Sequence, residues 1–181
     1  MTELSALEIL EKLVSFPTVS DRSNLELIDW VESYFNSFQI QTYRKYNEDN
    51  TKASLFAHVG PQIEGGVVLS GHTDVVPVEG QDWNTDPWTL TEKDNKLYGR
   101  GSCDMKGFDA LAIWAMIEGH KSNLKRPLQI ALSYDEEVGC IGAPPMIDEM
   151  IKKLPKASMV IVGEPSTMLA VTGHKGALGF T

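Results

Sequence analysis

Three short apolar runs, at residues 67–70, 128–133 and 158–162, constrain this chain most, because each stops at residues able to do chemistry. The first, Val67-Val68-Leu69-Ser70, is the kind of continuous run that forms a strand buried on both faces. Helical spacing fills the gaps, with helices predicted over residues 106–118 and 145–153. Upstream, Leu4, Leu7, Leu10, Leu13 and Val14 mark an amphipathic helix ending near Phe16-Pro17. Ser23 with Glu26 reads as a capping box opening a second helix through Leu27, Val31, Tyr34 and Phe38. Strands are predicted over residues 40–46 and 53–59, joined by the turn Asn47-Glu48-Asp49-Asn50. Residues 74–95 read as a long loop, and loops of that length commonly serve a function. Residues 169–181 read as a strand followed by a Gly-rich segment. Alternating strands and helices predict an α/β layered domain.

Composition narrows the function classes. A chain of 181 residues is one domain, or one domain and the start of another. No stretch approaches the ~20 apolar residues of a membrane span. The first residues lack a basic region and a small-residue cleavage site, so no secretion signal is expected. Cys103 and Cys140 form no C-x-x-C pair and suit a reducing cytoplasm, where a small buried thiol is the ordinary reading. A formal charge of −9 supplies no basic face for nucleic acid. Bound divalent cations would cancel part of that charge, although most acidic proteins are merely well solvated.

Chemistry-bearing residues fall at the predicted strand ends, where open α/β sheets place their ligand sites. His72-Thr73-Asp74 follows the first run. An imidazole can bind a metal through one ring nitrogen while the other is held by a partner, and Asp74 could orient His72 directly or through the backbone. Alone, His-x-Asp is more often a polar turn. Gly99-Arg100-Gly101-Ser102-Cys103-Asp104 precedes a helix, and a carboxylate at Asp104 could bridge two cations. An aspartate there is more often a helix cap, and the glycines could instead cradle a phosphate, though neither nucleotide-binding pattern is present. Asp135-Glu136-Glu137 ends the second run, and three adjacent acids repel unless a cation compensates them. One can ligate a metal while its neighbour moves a proton; the plain alternative is a solvated acidic turn. Glu164, in Gly163-Glu164-Pro165, closes the third run and would alone be a turn. Together the four supply the nitrogen and oxygen ligands that zinc accepts.

The motifs SGHTDVVP, LYGRGSCDMKG, SYDEEVGCIGAP and VGEP, in that order, resemble the dinuclear-zinc exopeptidases and deacylases, and the match runs along the whole chain. GQDWNTDPWTLTEKDNKLYGRGSCDMKGF and YDEEVGCIGAP are similar to its deacetylase branch. The resemblance implies a three-layer catalytic domain with a central mixed sheet, hydrolysing a small N-acyl amino acid. It assigns two Zn2+ ions, with Co2+ a possible substitute. His72, Asp104 and Glu164 hold the first, and Asp104 and Glu137 the second. Glu136 becomes the general base and acid, and Asp74 the partner of His72. A cis peptide is expected at Asp104-Met105. Desuccinylation, dipeptide cleavage and a non-catalytic metal-binding remnant stay open as other readings.

Members of such a family are longer than this chain. The resemblance assigns residues 1–171 to the N-terminal part of the catalytic domain and residues 172–181 to the crossing into a lid and dimerisation domain. A final histidine for the second zinc, and a homodimer, belong to the full-length protein. An end at Thr181 would therefore leave the second zinc weakly held, activity poor and apolar surface exposed. His174 is read as part of the crossing, and His58 and His120 as ordinary surface or packing histidines.

Overall fold

The computed structural model describes residues 2–169 and 171–173 of the chain. The strand expected from residue 169 onward, His174 and most of the crossing lie outside the described residues. Two helices lead, α1 (Ala6–Val14) and α2 (Leu25–Ser37). The strands β1 (Thr42–Tyr46), β2 (Ala53–Val59) and β3 (Val67–His72) follow. Next come β4 (Thr91–Lys93), β5 (Lys96–Tyr98) and α3 (Lys106–Lys121). The order closes with β6 (Leu128–Ser133), α4 (Ala143–Lys153) and β7 (Met159–Val162).

Five strands form one mixed sheet in the order β1-β2-β6-β3-β7. The β1–β2 and β2–β6 pairs are antiparallel, whereas β3 runs parallel to both β6 and β7. Strand alternation divides the core in two. Leu55, Ala57, Val59, Ile130 and Leu132 point to one face and pack with Ile9, Leu13, Tyr34, Phe35, Ile113 and Met116 of α1–α3. Phe56, Val68 and Ala131 point to the other and meet Met146 of α4 and Leu154. The expected three layers with a central mixed sheet are present. Among the described residues β7 is paired on one side, and its Met159, Val160, Ile161 and Val162 remain exposed, as do Ile147 and Ile151 of α4. No helix among the described residues is long and apolar enough to cross a membrane.

Local chemistry moved several boundaries. The capping box sits at α1, where Ser5 accepts from the Glu8 backbone and the Glu8 carboxylate accepts from the Ser5 backbone. The expected Ser23–Glu26 box does not form: Asn24 takes the cap position of α2 and sends its amide to Ala53 O and Thr73 Oγ1. Long-range bonds outcompeted the local cap. The predicted loop 74–95 gives way at its end to a small hairpin, β4–β5, turned at Asp94 and Asn95, both at positive φ. Those two types tolerate the left-handed region, so the dipeptide was a turn signal between short strands.

Candidate metal centre

His72 is the last residue of β3, and β3 lies between two parallel neighbours. Because β3, β6 and β7 run the same way, their C-terminal ends open on one edge of the sheet. Asp74, the run Asp135-Glu136-Glu137 and Glu164 arrive there in turn, and Asp104 joins them from the turn before α3. The peptide bond between Asp104 and Met105 is cis, as expected.

The His72 side chain is almost fully buried, at 1% exposure. Its Nδ1–H donates to the backbone carbonyl of Asp74 at 2.9 Å, and the Asp74 carboxylate stands 3.5 Å away. That bond fixes the tautomer and leaves Nε2 free for a cation. Facing Nε2 are Asp104 Oδ1 at 3.1 Å, Glu164 Oε1 at 3.7 Å and Glu136 Oε2 at 3.9 Å. Of the two routes left open for Asp74, the backbone one supplies the closer contact.

The Asp74 carboxylate serves the acidic turn instead. Oδ1 accepts the Glu136 N–H at 3.0 Å, and Oδ2 accepts the Glu137 N–H at 3.2 Å and the Ser20 hydroxyl at 2.7 Å. Burial would raise the Asp74 pKa, but bonds from His72, Ser20 and the Glu136 backbone, with the His72 charge, hold it below the usual carboxylate range.

Electrostatics around His72 favour a positive charge. Burial by itself would lower its pKa. The Asp74 hydrogen bond and the charges of Asp74, Asp109 and Glu164 outweigh that and push it up to about 10. Glu137 is raised by burial and then by the Asp104 charge; Glu164 is raised chiefly by burial, with Asp104 and Glu136 adding to it. Crowded carboxylates that hold protons too tightly, around an imidazole that turns Nε2 toward them, are a donor set a divalent cation fits.

Two groups could hold an ion: His72 with Asp104 and Glu137, and His72 with Glu136 and Glu164. Each sets one atom per residue within 4.8 Å of the others. Both use His72, whose Nδ1 is already committed, so the groups compete for the same Nε2. The described residues thus offer two three-donor groups that overlap at His72. All four expected ligands and Glu136 come together here. In this grouping, His72 rather than Asp104 is the shared residue.

Cys103 and Cys140 are both exposed rather than buried, because each sits in a turn that carries the site's acids. The Cys140 thiol lies 3.5 Å from Glu136 Oε1. His58 bonds Gly60 O, His120 is exposed, and neither enters a donor group. A cavity of about 180 Å³ opens beside Asp104 and Glu137. A larger apolar groove of about 550 Å³ lies under α4 and contains none of the donors.

Four supporting residues were not among the expected site residues, although Lys106 lies within LYGRGSCDMKG. Ser20 and Lys52 bind Asp74 and Asp135 respectively. Lys106 and Asp109 are buried behind the site, and burial pushes the lysine pKa down and the aspartate pKa up. Lys106 Nζ donates to Phe16 O at 2.7 Å, whereas Asp109 Oδ1 has no partner among the described residues. Their signal was two charges at the spacing of the inward stripe that Ile113 and Met116 continue.

With this geometry in hand, the profile of Peptidase family M20/M25/M40 matches residues 68–174, more than half of the chain. The chain belongs to that family. It is 35% identical over 183 aligned residues to the acetylornithine deacetylase of Buchnera aphidicola subsp. Schizaphis graminum, covering 98% of this chain and 47% of that enzyme. The chain therefore spans about half the length of the curated relatives it matches. Solved M20 structures share the fold. An M20 metallo-carboxypeptidase from Sulfolobus solfataricus superposes with TM-score 0.76 at 20% identity, covering 89% of this chain and 37% of that one. A Bacillus subtilis M20 protein described as a dinuclear metal-binding peptidase gives 0.60 at 16% identity, covering 87% and 41%.

Proposed function

We infer that this chain is the metal-holding part of a two-metal amide hydrolase whose full-length form removes acetyl from N2-acetylornithine. The carrying observation is the imidazole of His72, tied at Nδ1 and facing carboxylates from separate strand ends and one turn at Nε2. Acetylornithine deacetylase is the description of the curated relatives at 35% and 36% identity, which supports the acetyl specificity. The dinuclear description of the B. subtilis relative supports the metal count. In this reading residues 1–171 form the catalytic part, and residues 172–181 lead toward a lid and dimerisation domain.

His72 Nε2, Asp104, Glu137 and Glu164 would hold zinc. When bound, a divalent cation supplies Lewis acidity, polarising the amide carbonyl and making water a stronger acid. Asp74 orients the reaction's two neighbouring acids through their N–H groups. Glu136 takes a proton from the attacking water on a carboxylate oxygen. It later delivers that proton to the amide nitrogen as ornithine leaves.

Zinc titration of the chain tests this reading: one ion binds firmly, a second weakly, and His72→Ala abolishes the firm site. Two equally tight ions, or none, would overturn it. In the full-length protein Glu136→Gln keeps zinc yet loses turnover; retained hydrolysis would remove Glu136 from its role. A panel of N-acetyl, N-succinyl and dipeptide substrates tests the specificity.

A further inference from the structure

We propose that Lys52 is a positioning residue for the turn that presents Glu136 and Glu137, a role that rests on the metal-centre reading above. Among the described residues, Lys52 is the one lysine or arginine ion-paired to any of Asp74, Asp104, Asp135, Glu136, Glu137 or Glu164. Its Nζ lies 2.6 Å from Asp135 Oδ1, and the two side chains are only 14% and 11% exposed. The same ammonium donates to the backbone carbonyl of Ser20.

These contacts close a ring. Lys52 joins Ser20 to Asp135; Asp135 begins the acidic turn; the next two N–H groups bond Asp74; and the Ser20 hydroxyl bonds Asp74 from the other side. Asp135 stands at φ 57°, in the left-handed region that Asp enters more readily than most L residues. The backbone reverses there, which lets consecutive amides reach the two oxygens of one carboxylate. The buried ion pair ties Asp135 in that conformation to Lys52, the residue just before β2, a strand fixed on both sides by the sheet.

Charge compensation alone is a competing account, and it predicts the opposite sign. Removing a positive charge near a cation site should tighten cation binding by Coulomb's law. Loss of position should weaken it, because the carboxylate no longer meets the imidazole in register.

The decisive experiment measures Zn2+ affinity of the 181-residue chain by chelator competition, with amide hydrogen exchange of the metal-free chain followed by NMR. Lys52→Met is expected to weaken Zn2+ about 10-fold or more, the scale seen when a partner that orients a ligand is removed. Lys52→Arg keeps the bond and should stay within about 3-fold of the unaltered chain by the same reasoning. Glu136 and Glu137 amides should exchange faster in Lys52→Met, while those of β1 stay unchanged. Asp135→Gly breaks the same tie without a φ penalty and should reproduce both effects if Lys52→Met cannot be purified. Unchanged or tighter Zn2+ binding in Lys52→Met, with both amides still protected, overturns the proposal. If the unaltered chain binds no Zn2+, the metal reading fails on its own, and the two amides still decide the role of Lys52.

Discussion

Asp74→Asn separates the organising role of this carboxylate from its charge. Two orientations are open to the amide. With its nitrogen in the Oδ1 position, both the Glu136 N–H and His72 would face a donor. With its nitrogen in the Oδ2 position, Ser20 can turn its hydroxyl to accept, and only the Glu137 N–H is stranded. The second orientation wins. One stranded donor and weaker, uncharged versions of the remaining bonds together cost about 2–4 kcal/mol. The cost is measured as the difference in unfolding free energy, in urea, between the metal-free unaltered chain and the variant at pH 7. The pH dependence follows from Asp74 having its pKa depressed in the folded chain. Its contribution is fully present above the unfolded value of about 3.9 and is lost as pH falls through the folded value. The two stability curves must therefore converge in acid. A neutral-pH difference under about 0.5 kcal/mol, the range of an unremarkable surface change, would refute the reasoning. So would a difference that widens on acidification.

Zinc affinity should itself depend on pH. His72 in the metal-free chain is protonated up to about 10, so an ion must displace that proton. Affinity should rise about tenfold per pH unit between pH 6 and 8, with about one proton released, as read by calorimetry in buffers of different ionisation enthalpy. A flat profile would contradict the charge environment described for His72. Gly71→Ala should lower the unfolding free energy by about 1–3 kcal/mol, because its methyl group would overlap Asp109 Oδ1 and crowd Met105. A thermal midpoint equal to that of the unaltered chain would show that α3 can yield.

Much of the candidate donor set was legible because a strand ending in a hydrophilic residue announces itself. Val67-Val68-Leu69-Ser70 and residues 128–133 are largely apolar for a local reason, packing within a sheet, and the change to His72 or Asp135 marks the end of the apolar run while both side chains stay buried. The motifs therefore located His72, Asp104, Glu136, Glu137 and Glu164 in the chain. They also set the class of the fold, since alternating runs and helical stripes admit few layer arrangements. The Asp94-Asn95 turn was equally local, and its hairpin was missed only because its strands are three residues each.

Partnership was a different matter. Nothing near Ser20 or Lys52 in sequence shows that one reaches Asp74 and the other Asp135, 54 and 83 positions away. Asn24 gave up a local cap for Ala53 and Thr73, a choice that depends on where β2 and β3 pass. The sequence by itself determined which residues could carry the chemistry, because ligand type and strand ends are written in neighbouring positions. Tertiary structure alone decided that Asp74 holds its acids by their backbone N–H groups, and that His72 is shared by two candidate donor groups. Both depend on parallel strands bringing distant chain segments to one edge of the sheet, within hydrogen-bonding distance.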